Sequence, residues 1–481
     1  MNPITLIDGY KLDHRRQYPP GTEFVYSNWT PRGSRIPGQD EVVFFGLQAF
    51  LDKYLTEKMN RQFFRMPEEE VCGQYLQRVN SYLGPNDIGV EHIRALHRLG
   101  YLPLEFRALP EGTLCPLRVP MMTVENTHPD FAWLVNYLET LISSFLWMPC
   151  TSATHAYRFR KLFNEAAQRT GGPMDFVQWQ GHDFSMRGMA GPEAAALSGA
   201  GHLLSFTGTD TIPAVEFLEH HYHAQGLIGG SVPATEHSVM CAGGRTDEFG
   251  TFNHILDLYP KGIVSIVSDT WDLWKVCTLF LPALKPRIME RDGKVVIRPD
   301  SGDPVKIICG DPSATGPARK GVVELLWETF GGTVTATGHR QLDSHIGVIY
   351  GDAITYERAK AITEGLAAKG FASTNVVYGI GSFTYQYNTR DTFSFAMKAT
   401  WAQVEGVGRD LFKKPITDNG EKFSATGRLA VLYGANGEIM VKEKASKMDE
   451  ITSLLEVVWQ DGQFRKRYSL NDVRRRLWPS A

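Results

Sequence analysis

From about residue 175 the chain alternates short apolar runs, each closing on a polar residue or a glycine, with amphipathic helical stretches. This alternation leaves few architectures open. A strand that pairs in parallel with its neighbour needs a long crossover to reach it, and a helix is the usual crossover. Six runs qualify: "DFVQWQGHDF", "HLLSFTGTD", "GIVSIVSD", "GKVVIRPD", "HIGVIYGD" and "NVVYGIG". Helical patterns lie between or beside them, in "GPEAAALSGAGHLL", "TWDLWKVCTLFL", "GVVELLWETF" and "TYERAKAITEGLAAKG". The start of the second run overlaps a helix pattern. Pro192 suits a first helical turn and Gly370 a helix C-terminus. The reading is α/β, with βα units around a parallel sheet closed into a barrel.

The flanks follow another rule. Residues 428–445 alternate around Asn436-Gly437, and "LEVVWQDGQFRKRYS" alternates around Asp461-Gly462, which predicts two β-hairpins followed by a short helix in "SLNDVRRRLW". Residues 102–127, rich in proline and short extended pieces, predict part of an antiparallel layer. A chain of 481 residues exceeds what one core holds. The expected division is therefore 1–150 as the N-terminal part of a β-rich domain with helices, 151–390 as the barrel, and 391–481 as the C-terminal part of the β-rich domain. The most apolar window, "FAWLVNYLETLISSFLWM", is broken by Asn136 and Glu139 and reads as a buried helix, not a membrane span. The opening "MNPITLIDGYKLDHRRQYPP" lacks the apolar core of a secretory signal.

Charge narrows the partners. Lys and Arg number 50 against 53 Asp and Glu, so no global basic field recruits nucleic acid, and any bound anion must be met locally. The six cysteines form no CxxC pair and show no metal-ligand spacing, as fits reduced thiols in a cytoplasmic protein.

In a βα barrel the reactive groups gather at the carboxyl ends of the strands. Here those ends supply Asp183, Phe184 and Arg187, then Asp210, Asp269, Arg298 with Asp300, Gly351 with Asp352, and Gly379 with Gly381. One strand ending in Asp is ordinary, because Asp begins turns and caps helices. Five would face one another across one mouth. Glycines directly after a strand let backbone N–H groups approach an anion, so "VVYGIG" and "VIYGD" are candidate phosphate and ribose sites. The third glycine of the dinucleotide fingerprint is missing, and no GxxxxGK[ST] loop occurs. "SVPATEHSVM" places Glu236 and His237 behind a proline. The alternatives there are a core histidine on a backbone carbonyl, or a base, nucleophile or ligand. Arg390, Lys398, Lys413 and Lys414, like Tyr10, Lys11 and Arg32 near the start, read either as a solvated face or as an anion site.

The ordered set "DGYKLDHRRQYPPGT", "HDFSMRG", "FTGTDT", "SVPATEHS", "VSIVSD", "IRPDSGDP", "GDAI" and "TRD" closely resembles the nicotinamide phosphoribosyltransferases, type II phosphoribosyltransferases of NAD salvage. The resemblance runs over nearly the whole chain. It implies an irregular βα barrel of the type II kind plus the β-rich second domain, in a cytoplasmic homodimer with shared active sites. It also implies transfer of phosphoribose from 5-phosphoribosyl 1-diphosphate to nicotinamide, with Mg²⁺, and ATP hydrolysis coupled through a phosphohistidine.

By the same resemblance His237 matches the phosphorylated histidine and Asp269 its hydrogen-bonding partner. Phe184 matches a ring stacked on nicotinamide, and Tyr10 a ring covering its other face from the second subunit. Arg187, Asp210 and Arg298 match groups around the carboxamide. Asp300, Gly351, Asp352 and Gly381 match the ribose and 5′-phosphate region, to which the strand-end reading adds Gly379, while Arg32, Arg390, Lys398 and Lys413 match the phosphate and nucleotide end. Asp269, Asp300 and Asp352 are the carboxylates offered for Mg²⁺. "GIGSF" departs from a longer family glycine run at Ser382, whose hydroxyl would donate where a backbone N–H does elsewhere. The competing readings are a nicotinate phosphoribosyltransferase, against which Asp210 argues by like charge, and a barrel without catalysis that serves as a binding protein.

Overall fold

The computed structural model describes residues 2–351, 353–413 and 425–479. The chain folds into two compact units: His155–Glu216 with Gln225–Tyr387, and Met1–Thr154 with Phe217–Ala224 and Asn388–Ala481.

The first unit is built on a six-stranded, all-parallel sheet. Its strands are β1 (Gly181–Asp183), β2 (Gly208–Thr209), β3 (Lys261–Val267), β4 (Asp292–Arg298), β5 (Ile346–Tyr350) and β6 (Val376–Ile380), in the spatial order β2-β1-β6-β5-β4-β3. Helices Pro192–His202, Val322–Phe330 and Tyr356–Ala368 fall where the amphipathic patterns lie, and "TWDLWKVCTLFL" forms the helical turns Leu273–Lys275 and Val276–Phe280 that lead into the helix Leu281–Met289. Two runs are shorter as strands than the sequence suggests. "DFVQWQGHDF" begins in helical turns, Met174–Phe176 and Val177–Gln180, and "HLLSFTGTD" contributes only β2. Aliphatic residues such as Val264, Ile266, Val295, Ile297 and Val348 fill one continuous core.

An irregular seventh stave spans the open edges. Gly230 pairs in parallel with Gly208 on one edge strand, and Ala234 with Ser265 on the other. Backbone bonds run from Thr209 N to Gly230 O (3.0 Å), Gly230 N to Thr207 O (2.8 Å), Thr235 N to Ser265 O (3.0 Å) and Ser265 N to Pro233 O (2.9 Å). The stave is the "SVPATEHS" stretch. Pro233 fits because a strand without full ladders on both sides has no need of its missing N–H.

The second unit carries a seven-stranded antiparallel sheet drawn from both ends of the chain, in the order Val407–Asp410, Phe395–Val404, Thr22–Pro31, Met122–Asn126, Leu104–Ala108, Glu456–Gln460, Gln463–Phe464. Trp29 and Phe395 stack across paired strands, with ring centroids 4.5 Å apart. Both expected hairpins form, Leu429–Tyr433 with Ile439–Glu443 and Glu456–Gln460 with Gln463–Phe464. At the second turn Asp461 and Gly462 both have positive φ (51° and 80°), the mirror-image turn that matches strand twist. Residues 217–224 join this unit through side chains. Gln48 Nε2 donates to His221 O (2.6 Å), His221 Nδ1 meets Asp52 Oδ2 (2.9 Å), and Tyr222 OH donates to the buried Glu111 (2.7 Å). All six cysteines are free. Among the described residues no helix is long and apolar enough to cross a membrane.

Candidate active site

The carboxyl ends of the parallel strands open onto a cavity of about 740 Å³, within the range usual for small-molecule sites. Phe184, Arg187, Asp210, Arg298, Asp300, Gly351, Gly381 and Ser382 line it, as expected, together with Glu236. A second void of about 440 Å³ lies inside the barrel and shares Phe184, Asp210, Ala234 and Arg298 with the first.

Each side chain is placed by its strand. Successive residues of β1 point to opposite faces, so His182 enters the barrel while Asp183 turns outward. Asp183 is fully buried and caps its own turn by accepting from Ser185 N (2.9 Å), which removes it from the mouth where the strand-end pattern puts it. Phe184 follows, its ring 4.5 Å from that of His182. Asp210 leaves β2 with its N–H on Asp183 O (3.0 Å) and its Oδ1 2.8 Å from His182 Nε2. Burial raises the Asp210 carboxyl. The hydrogen bond and charge of His182, the Ser231 hydroxyl and the Arg298 charge outweigh it and hold the group below its usual range. Arg298, ending β4, donates to Thr235 O (2.7 Å) and so ties β4 to the closing stave.

His237 begins the helix His237–Ala242 directly after that stave, with Glu236 at its N-cap. Its side chain is 48% exposed, which excludes the core-histidine alternative. The expected pairing with Asp269 is replaced by another: His237 Nδ1 meets Thr270 Oγ1 (3.3 Å), and Nε2 lies 3.7 Å from Asp300 Oδ2. Asp269 Oδ2 instead accepts from Asp300 N (2.8 Å), Ser301 N (2.7 Å) and Ser301 Oγ. Asp269 therefore fixes the loop that carries Asp300, and its Oδ1 is buried without a hydrogen-bond partner.

The glycines divide in role. A Cβ on Gly351 would lie 1.9 Å from Asp300 Oδ1, so this glycine makes room for that carboxylate. Gly379 is buried within β6, and a Cβ there would sit 2.8 Å from both the Phe184 ring and Tyr350 O. Its bare backbone makes room for the aromatic ring. Gly381 is open toward the cavity, and Ser382 starts the turn Ser382–Tyr385. Asp352 and Lys414 lie outside the described residues.

Tyr10 and the basic residues belong to the other unit. Tyr10 is 63% exposed, with its ring 5.1 Å from that of His14. Lys398 is lowered by burial, opposed by Glu139, and lowered further by Arg32, Arg390 and Lys413, so the four bases gathered from the sequence form one cationic cluster. The residue patterns do not single out His182 or Thr270. The only signal is adjacency, since each neighbours a residue that the patterns do mark.

The model of the nicotinate phosphoribosyltransferase family matches residues 179–461, and that of the nicotinamide phosphoribosyltransferase N-terminal domain matches residues 2–66. A nicotinamide phosphoribosyltransferase of Acinetobacter baylyi is 52% identical over 99% of this chain and 97% of its own length. This chain belongs to the nicotinamide phosphoribosyltransferase family. A second member, from Xanthomonas campestris pv. campestris, is 34% identical over 98% of this chain and 97% of its own. The fold is that of the type II phosphoribosyltransferases. The nicotinate-nucleotide pyrophosphorylase of Pyrococcus furiosus superimposes with a TM-score of 0.60 at 16% identity, over 100% of this chain and 95% of that one. Human nicotinic acid phosphoribosyltransferase does so with 0.55 at 17%, over 98% and 93%. Membership makes the chain an enzyme of the phosphoribosyltransferase class.

Proposed function

We propose that the chain joins nicotinamide to 5-phosphoribosyl 1-diphosphate, giving nicotinamide mononucleotide and diphosphate in NAD salvage. The observation that carries the base assignment is Asp210, an ionised carboxylate in the cavity wall beside the Phe184 ring. It accepts a hydrogen bond from a carboxamide NH₂ and repels the carboxylate of nicotinate. The pyridine nitrogen attacks C1 of the ribose as diphosphate leaves. The protein's share is positioning and charge, with Phe184 stacking the base, Arg187 and Arg298 near its polar edge, and Asp300 with Gly351 and Gly381 toward the sugar and its phosphate.

The same reading places Mg²⁺ among the Asp269 and Asp300 carboxylates, hard oxygen ligands of which Asp269 Oδ1 has no hydrogen-bond partner. When bound, the ion neutralises diphosphate charge. His237 is the group that takes the γ-phosphoryl of ATP: a ring nitrogen attacks phosphorus, ADP departs, and the phosphohistidine is later hydrolysed. Its exposed ring, with Thr270 on Nδ1 and Asp300 near Nε2, supports that role. The enzyme works as a cytoplasmic homodimer, Tyr10 and the Arg32, Arg390, Lys398, Lys413 cluster completing the partner's site.

The test is to incubate the protein with the phosphoribosyl donor, Mg²⁺ and ATP and to supply nicotinamide or nicotinate. Formation of nicotinamide mononucleotide is expected. Preferential consumption of nicotinate overturns the base assignment.

A further inference from the structure

Asp210 can discriminate between bases only if one of its oxygens points at the ligand, and an aspartate carboxyl turns easily about its last torsion. Its orientation has a visible cause. His182 Nε2 lies 2.8 Å from Asp210 Oδ1, and since an ionised carboxylate only accepts, Nε2 carries the proton. The imidazole itself cannot turn freely. It is 9% exposed, and its Nδ1 edge packs on Gly208, where an added Cβ would lie 2.8 Å away. The same ring lies 4.5 Å from that of Phe184, with an interplanar angle of 36°. One buried imidazole thus touches both side chains assigned to the base.

We propose that His182 is a specificity-determining positioning residue, whose Nε2–H fixes Asp210 Oδ1 so that Oδ2 meets the carboxamide. This rests on the assignment of Asp210 and Phe184 to the base site. Asp210 loses its orientation when His182 loses its donor, and the enzyme then binds nicotinamide more weakly and rejects nicotinate less well. The phosphoribosyl donor, held elsewhere in the cavity, is unaffected.

The experiment compares His182→Gln, whose amide nitrogen reaches the Nε2 position, with His182→Asn, one methylene too short. A hydrogen bond to a charged group implies that His182→Asn loses about tenfold in kcat/KM for nicotinamide. The loss should appear in KM for the base, with KM for the phosphoribosyl donor unchanged and the nicotinamide-to-nicotinate preference reduced. His182→Gln should recover most of it. In an Asp210→Ala background the two variants should be indistinguishable, because the group they orient is gone. Equal losses in Gln and Asn, or an Asn loss that persists undiminished in Asp210→Ala, overturn the proposal. An Asp210→Ala enzyme that keeps the full preference for nicotinamide overturns the underlying base assignment instead, which separates the two failures.

Discussion

Replacing Asp210 by Asn removes one charge from the cavity wall and keeps the shape. Two unit charges about 4 Å apart interact by about 4 kcal/mol at the effective dielectric usual near a protein surface. The Asp210 side chain is 42% exposed, so solvent and salt screen roughly half of this, leaving about 2 kcal/mol, or about 30-fold in the ratio of the two bases. The preserved Oδ1 still accepts from His182, so the backbone and Phe184 should stay in place. The assay is a competition: nicotinamide and nicotinate together, the two mononucleotides separated and counted, in wild type and Asp210→Asn. The folded Asp210 carboxyl lies below its normal value, so on acidification it should lose its charge at a lower pH than an ordinary aspartate does. A ratio that moves by less than about threefold on mutation would refute the electrostatic account, since it corresponds to under about 0.7 kcal/mol.

Three further outcomes are expected. Gly379→Ala should raise KM for the base by about tenfold or more with melting unchanged in cooperativity, because the new Cβ meets the Phe184 ring at 2.8 Å; an unchanged KM would separate that ring from the base. His237→Ala should abolish ATP hydrolysis and, with it, the stimulation of mononucleotide formation by ATP; stimulation that persists without hydrolysis would rule out the phosphohistidine. Asp52 is raised by burial but lowered more by hydrogen bonds and charge from His221 and Arg467, so its folded value lies below the unfolded one. Its contribution to stability is present above about pH 4, the unfolded range, and is lost as pH falls toward the folded value. Asp52→Asn should flatten the acid limb of a urea-midpoint profile, and an unchanged limb would show the pair to be inert.

The long buried strands β3 to β6 are legible because parallel strands covered on both faces read as apolar runs bounded by turns. The run before β1 is not, since a short apolar segment looks the same in a buried helix as in a strand, and Val177–Gln180 takes the helical form. The closing stave carries no strand signal: it is held by isolated bridges, and Pro233 within it argues against a strand. In the site, residue types at strand ends find the cavity, yet which face each side chain takes is decided by the pleat. That is why Asp183 leaves the mouth and His182 enters the void inside the barrel. The partner of His237 is beyond sequence reasoning because Asp269 and Thr270 are adjacent, and only the coordinates show Thr270 Oγ1 meeting Nδ1 while Asp269 Oδ2 holds the loop of Asp300 and Ser301.

The peptide that closes the barrel runs without interruption into His237, so wall and imidazole share one length of backbone. Breathing along that seam therefore drags the imidazole with it. Amide exchange at Gly230 and Thr235 offers a direct gauge of how steadily the ring is presented, readable without any turnover.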